Sequence, residues 1–174
     1  MKHLRKYIKE VLENNNTFNN IIDAIHSYTS LSQDVSSLRK LLGTPDLKNF
    51  MLKTQEQIHT ENIWASRKLN FRDQYIADPW YIKEGRGQEI NLKGPISFYY
   101  GEPPTEFAAN RYTLRLKIPK EKIIFHSLYN KNYGFASERE ILTEGMTIIV
   151  TSIQLEDDWE GNIVGAYVTG KVIK

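Results

Sequence analysis

The chain has 174 residues, 40% hydrophobic and 25% charged, which is the makeup of one ordinary globular domain with enough length to bury a core. Its 23 basic and 21 acidic side chains leave a net charge of +2, so no overall field draws it to nucleic acid or an anionic membrane, and neither is an expected partner. The absence of cysteine excludes disulfides, thiolate zinc sites and a cysteine nucleophile. The four histidines are scattered without metal-ligand spacing; they read as surface or cap residues, and no metal is expected.

The first third reads as helical. Leu4, Tyr7, Ile8, Val11 and Leu12 form one apolar stripe with lysines opposite, a packed amphipathic helix or, alternatively, a membrane-surface one. The segment lacks the apolar run and cleavage site of an export signal, which points to a cytoplasmic protein, and no stretch is long enough to span a bilayer. Asn14, Asn15 and Asn16 interrupt the period, and Phe18, Ile21, Ile22 and Ile25 restart it. A third helix is expected from Ser30 to Leu42, stopped at Gly43. Thr44 and Pro45 then read as N-cap and first residue of a fourth helix through Leu47 and Met51 toward Ile58.

From Ile63 the pattern turns to aromatic and β-branched runs separated by turns: Ile63-Trp64, Trp80–Ile82, Ile96–Tyr100, Tyr112–Ile118 and Ile123–Phe125. Tyr112, Leu114, Leu116 and Ile118 alternate with Thr113, Arg115 and Lys117, the signature of a half-buried strand. Pro103–Asn110 reads as a short helix. Asp157–Asn162 reads as the turn of a hairpin joining Thr147–Leu155 to Ile163–Ile173. The fold class is α+β: a helical part over 1–60, then a mainly antiparallel β core over 61–174, in a single domain.

Polar chemistry is concentrated in one strand-like stretch. Glu138 and Glu140 are two apart, so in an extended chain both leave the same face of a sheet while Arg139 leaves the other. A carboxylate pair of this kind serves acid/base work or recognition of hydroxyls and cations. Alternating charges on a solvated edge strand would look the same.

Ser137-Glu-Arg-Glu-Ile-Leu142, followed by Glu144-Gly145-Met146 and an apolar strand, resembles the Glu-x-Glu signature of mono-ADP-ribosyltransferases. The order of elements over Ile63–Ile153 resembles that family as well. The resemblance implies a substrate, NAD, and a target protein modified at arginine. It places Glu140 on the nicotinamide-side ribose and Glu138 on the acceptor. It implies an arginine on the NAD phosphates, with Arg67 the first choice and Arg72 the second, whereas Arg86 between Gly85 and Gly87 reads as a plain turn. The family's Ser-Thr-Ser position falls on Ile96–Gly101, where Ser97 is the one serine; Tyr99 and Tyr100 resemble the nicotinamide-stacking tyrosines of the diphtheria-toxin-like branch, which lacks the Glu-x-Glu pair, with ordinary strand tyrosines of a half-buried sheet as the alternative. Tyr129, Tyr133 and Phe135 fall on the loop that contacts the target, with packing of that loop against the sheet as the alternative. A module that keeps the fold without the activity, for instance a phage component, is the alternative function.

Overall fold

The computed structural model describes residues 16–28, 35–69, 86–101, 112–130, 139–161 and 163–174. The expected first helix, the Trp80–Ile82 run and the Pro103–Asn110 helix lie outside them. The chain forms two compact units, residues 1–53 and 54–174.

In the first unit a helix over 16–28, α1, carries Ile21, Ala24 and Ile25 buried on one face, as the restarted period predicts. Helix α2, Ser36–Leu41, begins after the N-cap Val35, later than the expected start at Ser30, and buries Leu38. Gly43, at φ 81°, takes the left-handed conformation open to a residue without a Cβ. Thr44 caps α3, Pro45–Glu56: its hydroxyl accepts the Leu47 N–H at 3.3 Å and donates to the Leu41 carbonyl at 2.7 Å. Leu47, Phe50 and Met51 are buried, and the Phe18 and Phe50 rings lie 5.4 Å apart. The helix stops at Glu56, short of the expected Ile58, which is buried beyond its end.

The second unit is one eight-stranded sheet. Its strands are β1 Asn62–Leu69, β2 Glu89–Leu92, β3 Ile96–Tyr100, β4 Tyr112–Pro119, β5 Ile123–His126, β6 Glu140–Thr143, β7 Met146–Asp157 and β8 Ile163–Val172, in spatial order β2-β7-β8-β4-β1-β3-β6-β5. Each of these pairings is antiparallel except β4 with β8. The fold is thus α+β with a mainly antiparallel sheet. Alternation in β4 holds for Leu114, Leu116 and Ile118, which are fully buried with Tyr112 packed beside them, but not for Thr113, expected on the exposed face and also buried. Strand β2 was not expected, because four residues leave little periodicity to read.

Strands from both ends of the sheet feed one core. Ile90 of β2 and Ile123 of β5 belong to the same apolar cluster as Phe98, Leu116 and Ile148. The return is made where two connections cross: Gly145, between β6 and β7, lies against Gly94, between β2 and β3. A Cβ on Gly145 would stand 2.7 Å from the Gly94 backbone nitrogen and 3.0 Å from the Leu92 carbonyl oxygen. Backbone cannot step aside as a side chain can, so Gly145→Ala is expected to lower stability by about 1–3 kcal/mol. The urea midpoint reads this, and an unchanged midpoint would mean that the two connections part freely.

Candidate active site

The pairing of β3 with β6 sets Tyr99 opposite Glu140 and Ser97 opposite Leu142. Because side chains alternate, Ser97, Tyr99 and Glu140 share the sheet face opposite the core residues Ile96, Phe98 and Ile141. The Glu140 carboxylate is only 8% exposed, and the Ser97 hydroxyl donates a hydrogen bond to its Oε1. A buried carboxylate requires such donors, since an unpaired one costs several kcal/mol of desolvation.

The main chain of Glu140 is held as well. Its N–H donates to the Ser127 hydroxyl at 2.9 Å, and its carbonyl accepts the Ser127 N–H at 2.9 Å. Ser127 belongs to a turn closed around His126, whose carbonyl accepts the N–H groups of Tyr129 and Asn130 and whose N–H donates to the Asn130 side chain at 2.9 Å. Ser127 carries no signal in the sequence; the contact spans thirteen residues and exists only once β5 and β6 pair.

Arg67 approaches from the neighbouring strand. Strands β1 and β3 are paired at Ala65 with Tyr100 and at Ser66 with Tyr99. The Arg67 guanidinium donates from Nη1 to the Ser97 carbonyl at 2.8 Å. One serine therefore links the two charged groups, its carbonyl taking the arginine and its hydroxyl serving the carboxylate. Three of the residues expected from sequence, Arg67, Ser97 and Glu140, are joined by these hydrogen bonds, with Tyr99 beside Glu140; the register sets the Arg67 side chain on the sheet face opposite that of Glu140, and among the described residues its guanidinium reaches only the Ser97 carbonyl. Glu138, Tyr133, Phe135 and Arg72 lie outside the described residues. Tyr129 packs against the core and edge-on against His126 at 4.8 Å between ring centres, the packing role named above as the alternative to target contact.

No family model matches the sequence, and no curated protein matches it. The structure does match solved ones. The enzymatic component C2-I of the C2 toxin from Clostridium botulinum superposes at a TM-score of 0.62 with 15% identity, over 89% of this chain and 43% of that one. C3stau2 from S. aureus, solved with NAD, gives 0.59 and 15% over 90% and 87%. A second botulinum protein, an ADP-ribosyltransferase solved in a triclinic crystal form, gives 0.58 and 13% over 100% and 96%. The fold is that of bacterial ADP-ribosyltransferase toxins. This chain spans 43% of the C2-I chain and nearly all of the triclinic-form transferase. A shared ADP-ribosyltransferase fold does not carry a shared reaction, so the chemistry must be argued from the side chains.

His126 departs from the surface role expected of the histidines. It is 1% exposed, between the rings of Tyr100 and Tyr129, and burial lowers its pKa from 6.5 to about 4. Its Nδ1 accepts the Leu128 N–H at 3.2 Å, which requires the neutral ring. The folded state thus resists a proton that the unfolded chain takes up near pH 6.5, so stability is full above about 6.5 and falls as pH drops toward 4. The expected loss is up to about 1.4 kcal/mol per pH unit across that window. Urea titrations at pH 7, 5.5 and 4.5 should show this slope in the parent and a shallower one in His126→Gln; equal slopes would place the protonation elsewhere.

Proposed function

We propose that this chain is an NAD-dependent mono-ADP-ribosyltransferase that modifies a protein at an arginine side chain. The observation that carries the reading is the linkage of Arg67 and Glu140 through Ser97, whose carbonyl and hydroxyl they share. These residues fit NAD. A guanidinium suits a diphosphate because its rigid fork donates paired hydrogen bonds, and Arg67 still has donors to offer beyond the one given to Ser97. A fixed carboxylate suits the ribose, since breaking the bond from its anomeric carbon to nicotinamide leaves positive charge on the sugar.

Glu140 supplies that negative charge without moving. Its backbone is pinned by Ser127 and its carboxylate by Ser97, so little reorganisation is needed as charge develops. The role of Glu138 is to accept a proton from the incoming guanidinium nitrogen, which forms the new bond to the anomeric carbon as nicotinamide leaves. Support for arginine as the acceptor is the two-residue spacing of the glutamates in the sequence.

Nicotinamide release from NAD, followed by chromatography, tests the assignment. Glu140→Gln is expected to lower release at least 100-fold with the melting temperature nearly unchanged. Release at the parent rate would remove Glu140 from the chemistry, and no release by the parent chain at millimolar NAD would favour a non-enzymatic module. Ser97→Ala is expected to lower kcat about tenfold to 100-fold with a small change in KM, because it frees the carboxylate and leaves the carbonyl that Arg67 uses. Arg67→Ala should act chiefly on NAD affinity, measured by calorimetry, by about tenfold or more; the reverse division between the two variants would overturn their assigned roles.

A further inference from the structure

We propose that the exposed row of Trp64, Lys117 and Lys171 across β1, β4 and β8 binds single-stranded nucleic acid. These three adjacent strands contain no aspartate or glutamate, yet they carry Arg67, Lys68, Arg115, Lys117 and Lys171. Register decides which of these share a face. Trp64, Lys117 and Lys171 are direct cross-strand neighbours, and Ser66, Arg115 and Thr169 form the adjoining row. Lys68 and Tyr167 stand in the next row on the same side, while Arg67 leaves by the other face toward Ser97. On this side Lys117 and Lys171 are exposed beside Trp64, Lys68 and Arg115 are half-buried, and Ser66 and Thr113 are buried, so the accessible basic surface is the row Trp64, Lys117 and Lys171.

The expectation against nucleic acid rested on the net charge of +2, a sum over the whole chain. Phosphates respond to the local arrangement instead. On this face the positive charges are interleaved with flat rings. Lys117 Nζ lies 5.2 Å from the centre of the Trp64 ring, and the Arg115 guanidinium lies 3.8 Å from that of Tyr167. Trp64 is 51% exposed, and beside it opens a pocket of about 310 Å³ lined by Trp64, Ala65, Ser66, Gly101 and Arg115.

That combination selects the ligand. The exposed Trp64 ring accepts a stacked base, and the basic side chains beside it follow the backbone, which is how sheet surfaces hold single strands without reading sequence. A duplex keeps its bases stacked on each other and has none to offer Trp64. An acidic peptide would satisfy the lysines and leave the ring and its pocket without a partner. The face is continuous with the candidate active site, because Arg115, Ser66, Tyr99 and Glu140 are successive partners across four strands.

The test uses the full chain and fluorescein-labelled dT15 and rU15, with anisotropy measured at 50 and 200 mM NaCl. Binding by the parent should weaken with salt. Lys117→Glu with Lys171→Glu should weaken it at least tenfold and flatten the log–log salt slope by about 1.4, the value for two phosphate contacts on a single strand. Trp64→Ala should weaken binding about fivefold to 100-fold at either salt. Both variants change exposed side chains, and unchanged melting temperatures and an unchanged rate of NAD turnover, whatever that rate is, would separate their effect from the Arg67–Ser97–Glu140 site. Absence of oligonucleotide binding at 50 mM NaCl, or binding that neither variant weakens, overturns the proposal. So does equal affinity for a labelled 15-residue oligoglutamate, which would make the face a docking surface for acidic protein segments.

Discussion

The carboxylate of Glu140 is buried, and much of the local architecture answers that constraint. A charge withdrawn from water must be met by donors in a fixed geometry or it destabilises the fold. Here the donor is the Ser97 hydroxyl, brought within reach because Tyr99 and Glu140 are direct partners and Ser97 lies on the same face of β3. Pairing of β3 with β6 is therefore both a structural and an electrostatic requirement. The Ser127 turn adds a second hold on the same residue through its main chain, and that turn relies on a neutral, buried His126.

Ser97 uses both of its polar groups, the carbonyl toward Arg67 and the hydroxyl toward Glu140. The guanidinium and the carboxylate are thereby positioned through a shared residue. Two opposite charges brought into direct contact in a buried site would instead neutralise one another.

Charge in this protein is sorted by strand. The three adjacent strands β4, β8 and β1 are free of carboxylates, whereas Glu89 lies on β2 and Glu156 and Asp157 at the far end of β7. Summed over the whole chain, 23 basic and 21 acidic side chains nearly cancel. A near-neutral total is therefore compatible with a strongly basic face, because the potential at a surface depends on the charges within about a Debye length of it. The parallel pairing of β4 with β8 is central to this sorting, since it sets Lys117 beside Lys171.

The sequence by itself determined what local rules control. The period of Ile21 and Ile25, the cap at Thr44, the stop at Gly43 and the alternation of Leu114, Leu116 and Ile118 each depend on neighbours within a few residues, and each is present in the structure as read. The resemblance that began from Glu138 and Glu140 also led to Arg67 and Ser97, because their order along the chain is itself a signal. Tertiary structure alone decided the rest. The position of His126 in the interior, the hold of Ser127 on Glu140, the crossing of Gly94 and Gly145 and the grouping of lysines beside Trp64 join residues distant in sequence. Their common physical reason is strand register: a shift of one residue sends every side chain of a strand to the opposite face, and register is set by pairing across the whole sheet, which no local pattern encodes.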